Sequence, residues 1–332
     1  MAPVPRDSRP LRNPAGHHRK GAVGTLRDGQ PAVDGGPRRG GFAIGFIIAV
    51  IRGCMSQELS PEDVPHAGGM PVFGLGTWEN DDHDQCAESV RAALEMGYRH
   101  IDTAQAYRNE DAVGEGIAAA DVDREAVFLA TKVWVSNLSY EDVHASVERS
   151  LDQLGTDYVD LLYVHWPAGD YDPGETLRAF DELYDDGAVD RIGVSNFEPE
   201  HVETARDHLD APIFANQVEI HPLLPQTELQ AYAAETDLEL VAYSPLKRGA
   251  VFDDPTLTAV ADEHGVSAAQ VSLAWLRERG ITTIPKATSE AHIRDNAESL
   301  SLSLSAEAVD RIDGIDRRDR QVHPDFAPQA WG

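Results

Sequence analysis

The sequence predicts a single α/β domain, a (β/α)8 TIM barrel running from residue 55 to 332, and three observations carry that expectation. Short apolar runs alternate with amphipathic stretches eight times. The alternation fits into about 230 residues, which suits a closed parallel barrel better than an open sheet. No Gly- or Ser-rich linker interrupts it.

The apolar runs at 72–75, 99–103, 127–131, 158–164, 191–194, 214–218, 240–243 and 281–284 have the length and uniform hydrophobicity of strands buried on both faces. Between them lie 84–96, 110–120, 141–154, 175–186, 199–208, 226–235, 267–279 and 289–298. Each is acidic on one face and rich in Ala, Leu and Val on the other, the pattern of a helix packed on a sheet. Residues 65–71 are expected to make a turn or hairpin at the barrel floor. Residues 254–264 and 305–315 read as two extra helices.

The charge is unevenly spread. The chain carries 57 Asp and Glu against 28 Lys and Arg, net −29. Residues 1–54 hold nine of the basic residues and three Asp, so everything from Met55 onward has a net charge of −35. Only three lysines stand in that acidic part: Lys132, Lys247 and Lys286. A surface so negative repels nucleic acid and anionic membranes, so neither is an expected partner. It also repels itself unless salt screens it. The composition predicts a halophile's protein in the cytoplasm, the other reading being an acidic protein of ordinary salt. A lysine kept in such a background is expected to have a task.

Residues 1–54 are rich in Pro, Gly and Arg and are expected to form a disordered or non-native extension. Arg38-Arg39, the apolar run 42–51 and Cys54 resemble an export signal. Arg52 stands where a lipoprotein signal needs a small residue, and the acidic composition sets in at Met55. Translated upstream sequence with Met55 as the natural start is the reading preferred. Cys54 and Cys86 make neither a disulfide framework nor a metal spacing.

Barrel enzymes work at the carboxyl ends of their strands. The second strand leads into Asp102 and, five residues on, Tyr107. The third ends at Lys132 and the fourth at His165. A buried lysine beside a carboxylate stays charged, because the partner offsets part of its desolvation. A phenol near that ammonium is expected to titrate below its usual value of about 10, and so to give a proton readily to a carbonyl oxygen. A histidine can hydrogen-bond the same oxygen and orient the substrate. None of these groups supplies electrons, so a hydride donor must bind beside them.

The phrases GLGTW (74–78), HIDTAQAYRNEDAVGEGI (100–117), ATKVW, YVHWP, GVSNF, NQVEIHP, AYSPL and IPKATSEAHIRDN (284–296) occur in an order that resembles the aldo-keto reductase superfamily over nearly all of 55–297. The nearest likeness is to prokaryotic reductases of the diketogluconate-reductase type. The resemblance implies that Asp102, Tyr107, Lys132 and His165 form a catalytic tetrad with Tyr107 as proton donor. It implies that Gly76, Thr77 and Trp78 lie by the nicotinamide end, and that Ser195, Asn196 and Gln217 bond the nicotinamide carboxamide. Tyr243 would stack on the ring, and Ser244 and Leu246 would hold the pyrophosphate. Trp78, Trp134 and Trp166 would wall the substrate. The tail 320–332, with Phe326 and Trp331, would close over the pocket.

The family carries no Gly-rich dinucleotide fingerprint between strand and helix, and none stands here. Cofactor grip is expected from strand ends and from the helix after Lys286, with Lys286, Thr288 and Ser289 at the 2′-phosphate and Asn296 at the adenine. NADPH-preferring members usually carry arginine where this chain has His292, a weaker and pH-dependent cation. NADPH preferred with NADH accepted is therefore the expectation, together with a monomer, a small carbonyl substrate and no metal. Two other readings remain: a cofactor-binding regulatory subunit of the same fold with little turnover, and a metal-dependent barrel hydrolase or isomerase, which the lack of clustered ligands disfavours.

Overall fold

The computed structural model describes residues 63–328 and Trp331. The expected extension 1–54 lies outside the described residues. A two-stranded antiparallel hairpin, β1 (His66–Ala67) and β2 (Met70–Pro71), comes first, as the sequence predicts for this segment. Eight parallel strands follow in sequence order: β3 (Leu75–Gly76), β4 (His100–Asp102), β5 (Phe128–Val133), β6 (Leu161–Val164), β7 (Ile192–Ser195), β8 (Ile213–Glu219), β9 (Glu239–Tyr243) and β10 (Thr282–Thr283). Bridges from Phe73 to Thr283 and from Gly76 to Lys286 join the two ends and close the barrel. The closure depends on Gly76, where a Cβ would sit 2.7 Å from the carbonyl oxygen of Ile284. Strand β10 is two residues shorter than the apolar run predicts, and Pro285, which brings no N–H, follows two residues after it.

Eight helices connect or follow these strands: α1 (His83–Glu95), α2 (Glu110–Ala119), α3 (Tyr140–Leu154), α4 (Pro173–Asp185), α5 (Pro199–Arg206), α6 (Thr227–Glu235), α8 (Ala268–Arg277) and α9 (Glu290–Glu298). Two further helices, α7 (Pro255–His264) before α8 and α10 (Ala306–Asp313) at the end, are the extra ones the sequence predicts. Short polar residues start them. Asp82, Ser139, Asp172, Asp254, Ser267, Ser289 and Ser305 each accept a backbone N–H of the first turn. Helix α3 shows why they pack as they do. Its buried residues Val143, Ser146, Val147, Ser150 and Leu154 recur at helical spacing along one stripe facing the sheet.

Period-two alternation sorts each strand between two cores. Along β5, Phe128 and Ala130 belong to the barrel interior while Leu129 and Val133 pack under the helices. Along β6, Leu161 and Tyr163 point inward and Leu162 and Val164 outward. Met70 of the hairpin is fully buried in the interior cluster and plugs the floor. The next inward positions, one layer toward the carboxyl ends, are Asp102, Lys132, His165 and Gln217. The alternation that builds the core thus delivers four polar side chains to one level.

Candidate active site

Lys132 is a buried charge at the molecule's centre, and its contacts define the site's floor. Its ammonium lies 2.5 Å from Asp102 Oδ1 and donates to the carbonyl oxygen of Thr103 at 2.7 Å. The other carboxylate oxygen of Asp102 accepts Gln217 Nε2 at 2.7 Å. The Lys132 and Asp102 side chains are 1% and 2% exposed. Burial pushes the Lys132 ammonium below its ordinary range, with Asp102 opposing that shift.

Tyr107 ends a single 3-10 turn, Gln105–Tyr107, that Arg108 closes in the left-handed conformation at φ 57°. The turn is braced from its side: Gln105 Oε1 accepts the Trp134 N–H at 3.1 Å and Asn137 Nδ2 at 3.0 Å. The loop carrying Thr77 is braced in turn by Asn109, whose Nδ2 donates to the Thr77 and Asn80 carbonyl oxygens and whose Oδ1 accepts Thr103 Oγ1. This places the Tyr107 ring centroid 5.0 Å from Lys132 Nζ and 5.9 Å from the His165 ring. The four residues that the sequence assigns to three strand ends therefore stand together.

One expectation needs correcting. The phenol of Tyr107 is not made more acidic in this structure: burial, then the negative charge of Asp102, hold it well above the ordinary tyrosine value. The Lys132 ammonium is neutralised at contact distance by Asp102, so little of its field is left for the phenol. His165 goes the other way. Burial and the Lys132 charge keep its imidazole well below the ordinary histidine value, hence neutral, and its Nδ1 has no hydrogen-bond partner. At neutral pH the site presents a protonated phenol and a neutral imidazole side by side.

Above this floor opens a cleft of about 340 Å³, within the range of small-molecule sites. Gly76, Thr77, Trp78, Tyr107, Gln217, Tyr243, Ser244, Leu246 and Lys286 of the expected set line it. Ser195 and Asn196 do not, nor do Lys132, His165, Trp134 and Trp166. Ser195 and Asn196 are both 1% exposed and satisfied beneath the cleft wall: Ser195 Oγ donates to the Gln217 carbonyl oxygen, and Asn196 Nδ2 donates to that of His165. The Tyr243 hydroxyl donates to Asn196 Oδ1 at 2.8 Å and covers the pair. Lys286, Ser289 and His292 are exposed and Thr288 half-buried at the amino end of α9, while Asn296 is buried on its second turn. Ser289 caps that helix through the His292 N–H.

Sequence reasoning missed Arg248. It lines the cleft with its guanidinium 4.3 Å from the centre of the Trp78 ring, spanning from the loop after β9 to the loop after β3. Its only signal is its place directly after AYSPLK. Lys247, flagged by the scarcity of lysine, is buried and ion-paired with Asp319 of the tail. Trp134 packs 5.0 Å from the His165 ring, and Phe326 of the tail sits 5.7 Å from both Trp134 and Trp166. Trp331 completes the row 5.2 Å from Trp166. The tail is thus a wall beside His165. Among the described residues no group of three His, Cys, Asp or Glu side chains is placed to hold a metal, and no helix is long and apolar enough to cross a membrane.

The model of the Aldo/keto reductase family matches residues 72–317. Glyoxal reductase of Bacillus subtilis is 42% identical over 251 residues, which are 76% of this chain and 91% of that protein. The methylglyoxal reductase of Escherichia coli O157:H7 is 37% identical over 265 residues, 79% of this chain and 99% of its own. The crystal structure of a Bombyx mori aldo-keto reductase in complex with NADP superposes with a TM-score of 0.71 at 33% identity, covering 76% of this chain and 91% of that one. Members of the family use NADP(H). The chain belongs to the aldo/keto reductase family, and it is an NAD(P)H-dependent reductase of carbonyl groups.

Proposed function

We propose that the protein reduces small aldehydes and ketones, glyoxal and methylglyoxal among them, with Tyr107 as the proton donor. The observation that carries this reading is a phenol held protonated at the cleft floor, 5.0 Å from an ammonium already locked to a carboxylate. The substrates follow the two relatives that act on them.

The cleft fits a dihydronicotinamide: the flat aromatic side chain of Tyr243, the Gln217 amide and Lys286 all line it. NADPH bound there would supply the hydride for the carbonyl carbon. Everything else falls to the chain. The neutral His165 ring hydrogen-bonds the carbonyl oxygen and aims it at Tyr107. Tyr107 gives up its proton as charge develops on that oxygen, which becomes a far stronger base than the phenolate it leaves. Lys132 then faces the new phenolate, and Asp102 keeps the ammonium from swinging away. Trp78, Trp134 and Trp166 exclude water.

Gly76 and Thr77 back the nicotinamide end. Ser195 and Asn196 would hold its carboxamide, with the Tyr243 hydroxyl now bonded to Asn196 Oδ1. Ser244 and Leu246 would hold the pyrophosphate, and Lys286, Thr288 and Ser289 the 2′-phosphate, with Asn296 at the adenine. With His292 in place of an arginine, NADPH is preferred and NADH accepted. The acidic composition supports a monomeric, halophilic protein of the cytoplasm, where reduced nicotinamide is supplied. The test is NADPH oxidation against glyoxal, methylglyoxal, aldoses and aromatic aldehydes, with the alcohol product identified. Tight NADPH binding without turnover on the whole panel overturns the proposal in favour of a regulatory subunit.

A further inference from the structure

We infer that Glu219 is a positioning residue that fixes the C-terminal tail as the outer wall of the substrate pocket. The inference rests on the carbonyl-reductase reading for its kinetic consequence, though not for its geometry. Glu219 is the last residue of β8 and points inward in step with Gln217, so its carboxylate stands one layer above the amide that holds Asp102. It is fully buried. Oε1 accepts the Gln321 N–H at 2.8 Å and His221 Nε2 at 2.9 Å, and Oε2 accepts the Val322 N–H at 2.9 Å. Two of the three donors belong to the tail backbone.

The tail needs such a clamp. Residues 315–328 contain no helix or strand, so no ladder of main-chain bonds holds them. A buried carboxylate taking two successive backbone N–H groups is a charge-assisted fork, among the stronger hydrogen-bonded arrangements available. Its effect passes outward through named contacts. The Val322 carbonyl oxygen, next to the clamped N–H, accepts Trp331 Nε1 at 3.1 Å. Trp331 packs on Trp166, and Phe326, 40% exposed, is wedged against Trp134 and Trp166. Trp134 in turn meets the His165 ring. Beside the Lys247–Asp319 ion pair and the Asp319 N–H bonded to the Leu223 carbonyl oxygen, the Glu219 carboxylate therefore holds the stretch that leads into an aromatic wall ending at the candidate catalytic histidine. A substrate large enough to touch that wall feels the clamp, and a two-carbon substrate does not.

The experiment compares wild type with Glu219→Gln, which keeps the size of the side chain but turns one acceptor into a donor facing a donor. Hydrogen exchange is followed by mass spectrometry in the tail and in β5, and KM and kcat are measured for glyoxal and a bulky aromatic aldehyde. Expected are tail amides exchanging at least about tenfold faster with β5 unchanged, KM for the aromatic aldehyde raised about tenfold, and glyoxal kinetics within about twofold of wild type. Phe326→Ala should raise the same KM while leaving the exchange of residues 321 and 322 as in wild type. Unchanged tail exchange in Glu219→Gln, or equal rises in KM for both substrates, overturns the inference. If wild type reduces neither aldehyde, the carbonyl-reductase proposal fails and the exchange result alone decides the clamp. Should Glu219→Gln lose protection in β5 as well, Gln321→Pro makes the same test from the tail side, deleting a donated N–H while the buried Glu219 and His221 stay intact.

Discussion

Replacing Lys132 by methionine leaves the Asp102 carboxylate 2% exposed with Gln217 as its one remaining side-chain donor. The magnitude follows from burial. An exposed ion pair is worth about 1 kcal/mol or less, whereas removing one partner of a buried pair costs about 3–5 kcal/mol, because the survivor cannot be rehydrated. The Gln217 bond softens the loss toward the lower figure, so Lys132→Met should destabilise by about 3 kcal/mol. Replacing both partners, Asp102→Leu with Lys132→Met, should regain most of that, since apolar residues remove the stranded charge together with its neighbour. The assay is urea unfolding of the three proteins at one fixed salt concentration, read as a change in midpoint at constant slope. A single-variant cost under about 1 kcal/mol would mean that the pair is solvated, and the floor described above would be wrong.

Three further outcomes are expected. Burial lowers the His100 imidazole from 6.5 to about 4, so its folded form resists protonation. The unfolded chain binds that proton first, and stability present above pH 6.5 should be lost as pH falls toward 4; His100→Gln should show a shallower decline over that window whatever its stability at neutral pH, and an equal decline refutes the assignment. His292→Arg should raise the preference for NADPH over NADH in kcat/KM by about tenfold, through a bidentate grip on the 2′-phosphate. An unchanged ratio would move that phosphate away from α9. Stability and activity should both rise from about 0.1 M to about 1 M salt as screening shortens, and a flat response would sink the halophilic reading.

The barrel was legible because its signals are local and repeated. Phe128, Ala130 and Lys132 alternate with Leu129, Thr131 and Val133, so the strand that buries the core also had to carry its lysine inward. The scarcity of lysine marked Lys132 and Lys247, and both prove to be buried and ion-paired. What could not be read depends on how separate segments meet. The direction of the Tyr107 shift turns first on how completely the phenol is buried and then on the nearby Asp102 carboxylate, neither of which any spacing encodes. Ser195 and Asn196 sit under Tyr243 because their bonds close onto carbonyls of β8 and of the β6 end. Phe326 meets Trp134 across the tail, whose backbone is bonded to Glu219, a residue more than a hundred positions earlier.

The decisive measurement is single-turnover reduction of glyoxal by Tyr107→Phe, with NADPH affinity titrated on the same preparation. If residue 107 delivers the proton, the chemical step slows by at least about 10²-fold while affinity for NADPH stays within about twofold. A chemical step close to the wild-type rate would show that the proton comes from another group, and the roles given to Lys132, Asp102 and His165 around that phenol would go with it.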